Sequence, residues 1–217
     1  MKRLLILFIL FLILASTYFL ISDHSSKEIF PSTKQKTSDN KETSTISRSF
    51  SLQLKKKANT IKQFAIENGY STKYSFLINM GLPSGKNRFF IYDLRKDSVV
   101  HSGLVAHGSC RSGFLDDPIF SNVPECGCSS VGKYRVGYLY EGQFGKAFKL
   151  HGLDSSNSNA FKRTIVLHAY DCVPNEETYP KPICNSLGCP MVSYRFLDAT
   201  TAIIENSKKP ILLLIYN

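Results

Sequence analysis

From residue 4 to residue 21 the chain is apolar at every position except Ser16 and Thr17, directly after Lys2-Arg3. A run with no polar face is not one side of a globular helix. Its length and basic flank are those of an export signal or an N-terminal membrane anchor. Residues suited to a cleavage site are poorly placed, Ala15 and Thr17 being the best available, and no Cys follows to take a lipid. Both readings put the rest of the chain outside the cytoplasm, in the periplasm or cell envelope. If residues 4–21 are retained, they tether it to the inner membrane.

Residues 22–49 hold eight Ser and four Thr, with only Ile29, Phe30 and Ile46 as large apolar side chains. Such a stretch buries too little surface to offset its ordering entropy and reads as a flexible tether. Leu54, Ala58, Ile61 and Ala65 then recur at helical spacing, and Gly69 supplies a stop, so a helix is expected over 52–68. Beyond it the texture changes to short apolar runs at 74–79, 89–93, 99–106, 134–140, 147–150, 165–167 and 211–216. Gly, Asn, Asp and Pro separate them, and a second helix is expected near 197–206. The pattern is that of a mainly β domain with one or two peripheral helices.

At 217 residues the chain suits one domain with accessory segments. Its net charge of +10 is unevenly placed: residues 27–62 carry nine basic against three acidic residues, whereas residues 63–217 carry sixteen against thirteen. The folded part thus lacks the basic excess of a nucleic-acid binder. Lys55-Lys56-Lys57 reads as a solvated helix face, the alternative being contact with anionic lipid or wall polymer.

The chemistry concentrates in Ile165-Val-Leu-His168 and, after a Pro-rich loop, Cys184-Asn-Ser186-Leu-Gly188-Cys189. A strand end delivers an imidazole, and a tight turn presents a thiol. A thiolate is the nucleophile, and a neighbouring imidazole takes its proton. Gly188 lets the turn aim backbone N–H groups at one point, as an oxyanion hole requires, and Ser186 can brace it. On these residues alone, Cys189 could equally be half of a disulfide and His168 a satisfied strand-end residue.

The ordered set His107-Gly-Ser109, Phe120-Ser-Asn122, Ser129-Ser-Val-Gly132-Lys-Tyr134, Gly145-Lys-Ala-Phe-Lys-Leu-His151-Gly-Leu-Asp154, Asn157-Ser-Asn159-Ala160, Ile165-Val-Leu-His168 and Ser186-Leu-Gly188-Cys189 resembles the murein L,D-transpeptidase catalytic domain. The resemblance covers about residues 72–217. It implies a β-rich sandwich with one or two peripheral helices, spanning 50–217 with its leading helix. It further implies a cysteine enzyme of peptidoglycan: Cys189 as nucleophile, His168 as base, a backbone carbonyl such as that of Ala169 fixing its tautomer, and the Gly188 and Cys189 amides as oxyanion donors. The substrates are stem peptides, no metal or organic cofactor is needed, nucleic acid is not a partner, and a monomer is expected. His151 is the rival base; if it is not the base it lines the cleft or is structural, and Tyr134 is expected to pack rather than bind, the alternative being that it flanks substrate. Leu187 and Pro190-Met191 depart from the family pattern, which has an Arg after the nucleophile to hold a substrate carboxylate; Arg195, Arg135 or Lys181 are the candidates to replace it. Competing readings are an L,D-carboxypeptidase or hydrolase using the same Cys, a silent wall-binding module, and a redox protein using Cys184 and Cys189.

Of the six Cys, five remain beside Cys189, so at most two bridges form and one thiol is left over. Cys172 and Cys184 close a Pro-rich loop between base and nucleophile, and bridging them occupies the nearest wrong partner of Cys189. Cys110 can pair with Cys126 or Cys128. Cys126-Gly-Cys128 without a nearby His is poor spacing for zinc.

Overall fold

Leu54, Ala58, Ile61 and Ala65 lie on the buried side of helix α1 (Ser38–Asn68), each at most 4% exposed. A computed structural model describes residues 38–217, with side chains from residue 48 onward. The apolar run at 4–21 and the first part of the 22–49 segment lie outside the described residues. Residues Ile46 to Asn217 form one compact unit. The helix begins upstream of the expected residue 52, at Ser38. It ends with Gly69 at φ +75°, and the Tyr70 N–H reaches the Ala65 carbonyl at 2.9 Å.

Eight strands follow: β1 (Tyr74–Asn79), β2 (Phe89–Asp93), β3 (Ser98–Gly103), β4 (Gly132–Gly142), β5 (Gly145–Gly152), β6 (Val166–Ala169), β7 (Met191–Val192) and, after helix α2 (Tyr194–Glu205), β8 (Leu212–Tyr216). They form one sheet in the order β3-β2-β1-β8-β4-β5-β6-β7. The pairs β1–β8 and β6–β7 are parallel and the others antiparallel.

Successive side chains alternate between two cores. Phe76, Ile78, Phe89, Ile91, Phe148, Leu150, Leu213 and Ile215 pack with Phe196 and Leu197 of α2. Leu77, Phe90, Tyr92, Leu212 and Tyr216 pack under α1. Because both faces are covered here, these strands read in the sequence as unbroken apolar runs rather than as alternation. Ser193 caps α2 by accepting the Phe196 N–H at 3.3 Å. Two residues of the basic run in α1 serve the fold: Lys55 pairs with Asp97, and the Lys57 ammonium sits 4.8 Å over the Tyr216 ring. Among the described residues no helix is long and apolar enough to cross a membrane.

Ile61 is fully buried between α1 and the sheet. Ile61→Ala is expected to cost about 3 kcal/mol in urea unfolding. A loss below ~1 kcal/mol would mean that the site collapses without leaving a cavity.

Candidate active site

β6 has neighbours on both sides, with His168 opposite Ala147 of β5 and opposite Met191 of β7. Cys189 precedes Met191 by two residues, as Val166 precedes His168. The parallel register therefore sets Cys189 beside Val166, whose N–H reaches Sγ at 3.4 Å. The Thr164 carbonyl lies 3.9 Å from the same sulfur.

The turn before Cys189 is held from several directions. Ser186 Oγ accepts the Gly188 N–H at 3.1 Å. The Ser186 N–H donates to the His107 carbonyl at 2.8 Å, and its carbonyl accepts the Ser109 N–H at 2.9 Å. Gly188 has φ +109°, and a Cβ there would stand 2.7 Å from the Cys128 carbonyl. Only glycine fits. Since Ser186 already occupies the Gly188 N–H, the amides left for an oxyanion are those of Leu187 and Cys189, for which no acceptor is found among the described residues.

Behind the turn lies a buried cation with no carboxylate partner among the described residues. Arg88 is fully buried and donates to the Val105 carbonyl at 3.0 and 2.8 Å and to the Leu82 carbonyl at 3.0 Å. Its guanidinium also stands 2.8 Å from His107 Nδ1, and burial lowers its pKa to about 10. Burial and then the Arg88 charge lower His107 to about 4, so its ring is neutral and Nδ1 accepts. His107 Nε2 faces the Leu115 carbonyl at 3.1 Å, and Asn185 closes the network by accepting the Leu115 N–H at 2.6 Å.

His168 is 2% exposed, with Nδ1 3.0 Å from the Ala169 carbonyl. A carbonyl only accepts, so Nδ1 carries the proton and Nε2 is the basic nitrogen. Phe144 stacks on the ring at 4.6 Å. Burial lowers the His168 pKa, partly offset by the Ala169 carbonyl. Burial raises that of Cys189, partly offset by the Val166 N–H and the charges of Arg163 and Lys149. Both shifts favour a neutral thiol beside a neutral imidazole at rest. No hydrogen bond joins the two side chains among the described residues; the strand register sets Cys189 level with Val166, two residues before His168 on β6.

The surrounding face combines aromatic and basic groups. Tyr140, Ala147 and His168 form one row across β4, β5 and β6, and Lys149 and Val166 form the next. The Lys149 ammonium lies 5.2 Å from the Tyr140 ring centroid and 5.9 Å from that of Phe161, which stacks on His151 at 4.9 Å. Burial and then the Cys189 charge raise the Tyr140 pKa. His151 is lowered by burial, Arg135 and Lys149. It lies two and four positions along β5 from Lys149 and Ala147, on the same face.

A model of the L,D-transpeptidase catalytic domain matches residues 33–216. The chain belongs to that family. Among solved structures it is similar to the helical cell shape determining protein Pgp2 from Campylobacter jejuni, at 14% identity and TM-score 0.40, covering 72% of this chain and 55% of that one. It is also similar to an L,D-transpeptidase from Xylanimonas cellulosilytica (13%, 0.37, 71% and 68%) and one from Mycobacterium smegmatis (7%, 0.38, 67% and 59%). The chain spans about half the length of several solved chains it matches. No curated protein sequence matches it.

Within this transpeptidase domain the remaining residues named from sequence fall as follows. Tyr134 cannot flank substrate: its ring is wholly buried and its hydroxyl sits 2.7 Å from both the hydroxyl and the carbonyl of Ser130. Arg195 is exposed and pairs with Glu176 at 3.4 Å, in a cavity that includes neither Cys189 nor His168. Arg135 lies opposite His151, and Lys181 is an exposed loop residue. Cys172 is bonded to Cys184 and Cys110 to Cys128, leaving Cys126 and Cys189 free. Among the described residues no cluster of metal-ligating groups is found. Sequence reasoning missed Tyr140 and Lys149, which cross-strand rows place, and Phe144 and Phe161, turn residues whose rings stack on His168 and His151. It also missed Arg163, which donates to the carbonyls of Ser121 at 2.8 Å and of Cys128, and to Ser130 Oγ at 3.3 Å.

Gly188→Ala is expected to slow alkylation of Cys189 by iodoacetamide at least tenfold while far-ultraviolet circular dichroism stays unchanged, since the left-handed turn is lost but the sheet is not. An unchanged rate would show that the turn geometry does not set thiol reactivity.

Proposed function

We propose that the chain is an exported peptidoglycan L,D-transpeptidase in which Cys189 forms a thioester with a stem tetrapeptide and passes it to an amine. The observation that carries this reading is the pairing of β6 with β7 in a member of the L,D-transpeptidase family, which sets Cys189 two residues from His168 across adjacent strands.

In the reaction, Cys189 Sγ attacks the carbonyl of the third stem residue at its L-centre. His168 Nε2 takes the thiol proton as the C–S bond forms, and its Nδ1–H stays on the Ala169 carbonyl, which steadies the imidazolium. The amides of Cys189 and Leu187 receive the tetrahedral oxyanion. Collapse breaks the C–N bond, and His168 returns the proton to the departing D-Ala amine. An amine from a neighbouring stem or a wall-linked protein then attacks the thioester, restoring the thiol. Phe144 and the buried wall around His168 limit water near the base. Water as acceptor would make the same site a carboxypeptidase or crosslink hydrolase.

Mass spectrometry of purified muropeptides incubated with the protein tests this directly. The expected products are exchanged or crosslinked stems; trimmed stems alone would assign hydrolysis instead. Cys189→Ala should remove all product from a folded protein, and His168→Ala should slow it on the order of a thousandfold. Greater damage from His151→Ala would reassign the base.

The neutral resting pair has its own signature. His168 is lowered, so its neutral form persists to more acid pH and the acidic limb of kcat/KM should fall below pH ~6.5, the ordinary imidazole value. In a Cys126→Ser background the Cys189 thiolate should titrate above pH ~8.5, the free thiol value. Thiolate absorbance developing below pH 7 would instead indicate a preformed ion pair.

A further inference from the structure

Three cysteines meet where residues 108–110 pack against residues 127–129. Cys110 is bonded to Cys128, and Cys126, two residues from Cys128, is a half-buried free thiol that the proposed reaction does not use. Its sulfur accepts the Cys128 N–H at 3.3 Å and faces the Arg163 guanidinium at 3.5 Å, so it is turned back onto the segment that carries the bridge. Gly127, between the two possible partners of Cys110, has φ +69°, and its carbonyl accepts the Cys110 N–H at 3.0 Å. Residue 127 therefore faces Cys110, and its two neighbours flank it. The Cα atoms of Cys110 and Cys128 are 4.2 Å apart. A disulfide spans Cα separations up to ~6.8 Å, so a turn about the Gly127 backbone, with no Cβ to resist it, presents Cys126 to Cys110 instead.

The same segment supports the nucleophile. The Cys128 carbonyl accepts from Arg163 and lies 2.7 Å from where a Cβ on Gly188 would stand. Arg163 also donates to Ser121 and Ser130, and its charge reaches the Cys189 sulfur. On the other side, Ser129 Oγ accepts the Gly108 N–H at 3.0 Å, between the two residues, His107 and Ser109, that grip Ser186. A shift of the Cys128 peptide is thus felt at both Ser186 and Gly188.

We propose that Cys110, Cys126 and Cys128 form a thiol–disulfide exchange site, and that the pairing it holds sets the reactivity of Cys189. The Cys126 thiolate attacks Cys110 Sγ. A Cys110–Cys126 bond forms as the Cys110–Cys128 bond breaks, and Cys128 leaves as a thiolate that takes up the proton Cys126 gave to solvent. One thiol and one disulfide stand on each side, so no oxidant or reductant is consumed. With Cys128 bridged, its carbonyl is held against Gly188 and the turn is braced. With Cys126 bridged, Cys128 is released, Arg163 loses a carbonyl and the turn slackens. The exchange concerns the thiols themselves and is independent of the acyl reaction proposed above.

The test starts from the full folded chain with the Cys110–Cys128 isomer isolated. The protein is held at mildly alkaline pH, quenched in mild acid, capped with N-ethylmaleimide and mapped unreduced, so that fragmentation locates the cap on Cys126 or Cys128. In part of the protein the cap should move from Cys126 to Cys128 over minutes to hours, the span of uncatalysed disulfide rearrangement, and it should never reach Cys128 in Cys126→Ser. A cap confined to Cys126 overturns the exchange, as does a bridge from Cys126 to Cys189. The link to the nucleophile is read from locked forms: Cys126→Ser keeps Cys110–Cys128, and Cys128→Ser keeps Cys110–Cys126. Iodoacetamide should alkylate Cys189 about tenfold more slowly in Cys128→Ser than in Cys126→Ser. Cys110→Ser, in which Cys128 is also released, should be as slow as Cys128→Ser and gives the same reading if Cys128→Ser does not fold. A Cys189 rate in either variant equal to that of Cys126→Ser overturns the link.

Discussion

Two residues of parallel pairing, Met191 and Val192 against His168 and Ala169, decide where the thiol stands relative to the imidazole. A strand of two residues cannot hold that register alone, so the neighbouring structure must supply it. The Ala106 N–H takes the Met191 carbonyl at 2.8 Å from the far side, and His107 and Ser109 grip Ser186. The Cys172–Cys184 bridge ties the segment after β6 to the segment before the turn. Arg163 joins the strand side to the Cys128 carbonyl, which lies directly against Gly188.

The polar network behind the turn works by the same logic. A buried guanidinium without a carboxylate is costly unless carbonyls and a neutral acceptor saturate it. Val105, Leu82 and His107 do so, and the price is a histidine that must stay neutral. That neutral ring carries rigidity outward through Leu115 and Asn185 to the residue next to Ser186. Removing either partner would leave a buried polar group unsatisfied just behind the turn that carries Cys189, so the network is rigid by necessity.

Much of this was legible in the sequence, for identifiable reasons. The apolar stripe of α1 and the strand runs follow from periodicity, and Gly188 announces a turn no other residue can make. β7 was not legible, because two residues after a proline carry no period. Tyr140 and Lys149 could not be found either: their place beside Cys189 depends on the register between β4, β5 and β6, including a bulge in β4 between Val136 and Leu139. Tyr134 packs, the reading its sequence context favoured over flanking substrate, and its hydroxyl faces Ser130. Arg195 and Arg163 illustrate the converse. One lies in a motif-rich stretch yet points to Glu176, and the other lies in an unremarkable turn yet holds the nucleophile loop.

The central claim is that the β6–β7 register makes Cys189 the acyl acceptor. Its most direct test is trapping the covalent intermediate: acid-quench the protein with a stem tetrapeptide and no acceptor amine, then map the adduct by peptide mass spectrometry. The account predicts a mass gain equal to the tripeptide acyl group on the Cys189 peptide, released by hydroxylamine as a thioester is. An adduct on Cys126, or none on a protein that still turns over muropeptides, would contradict it.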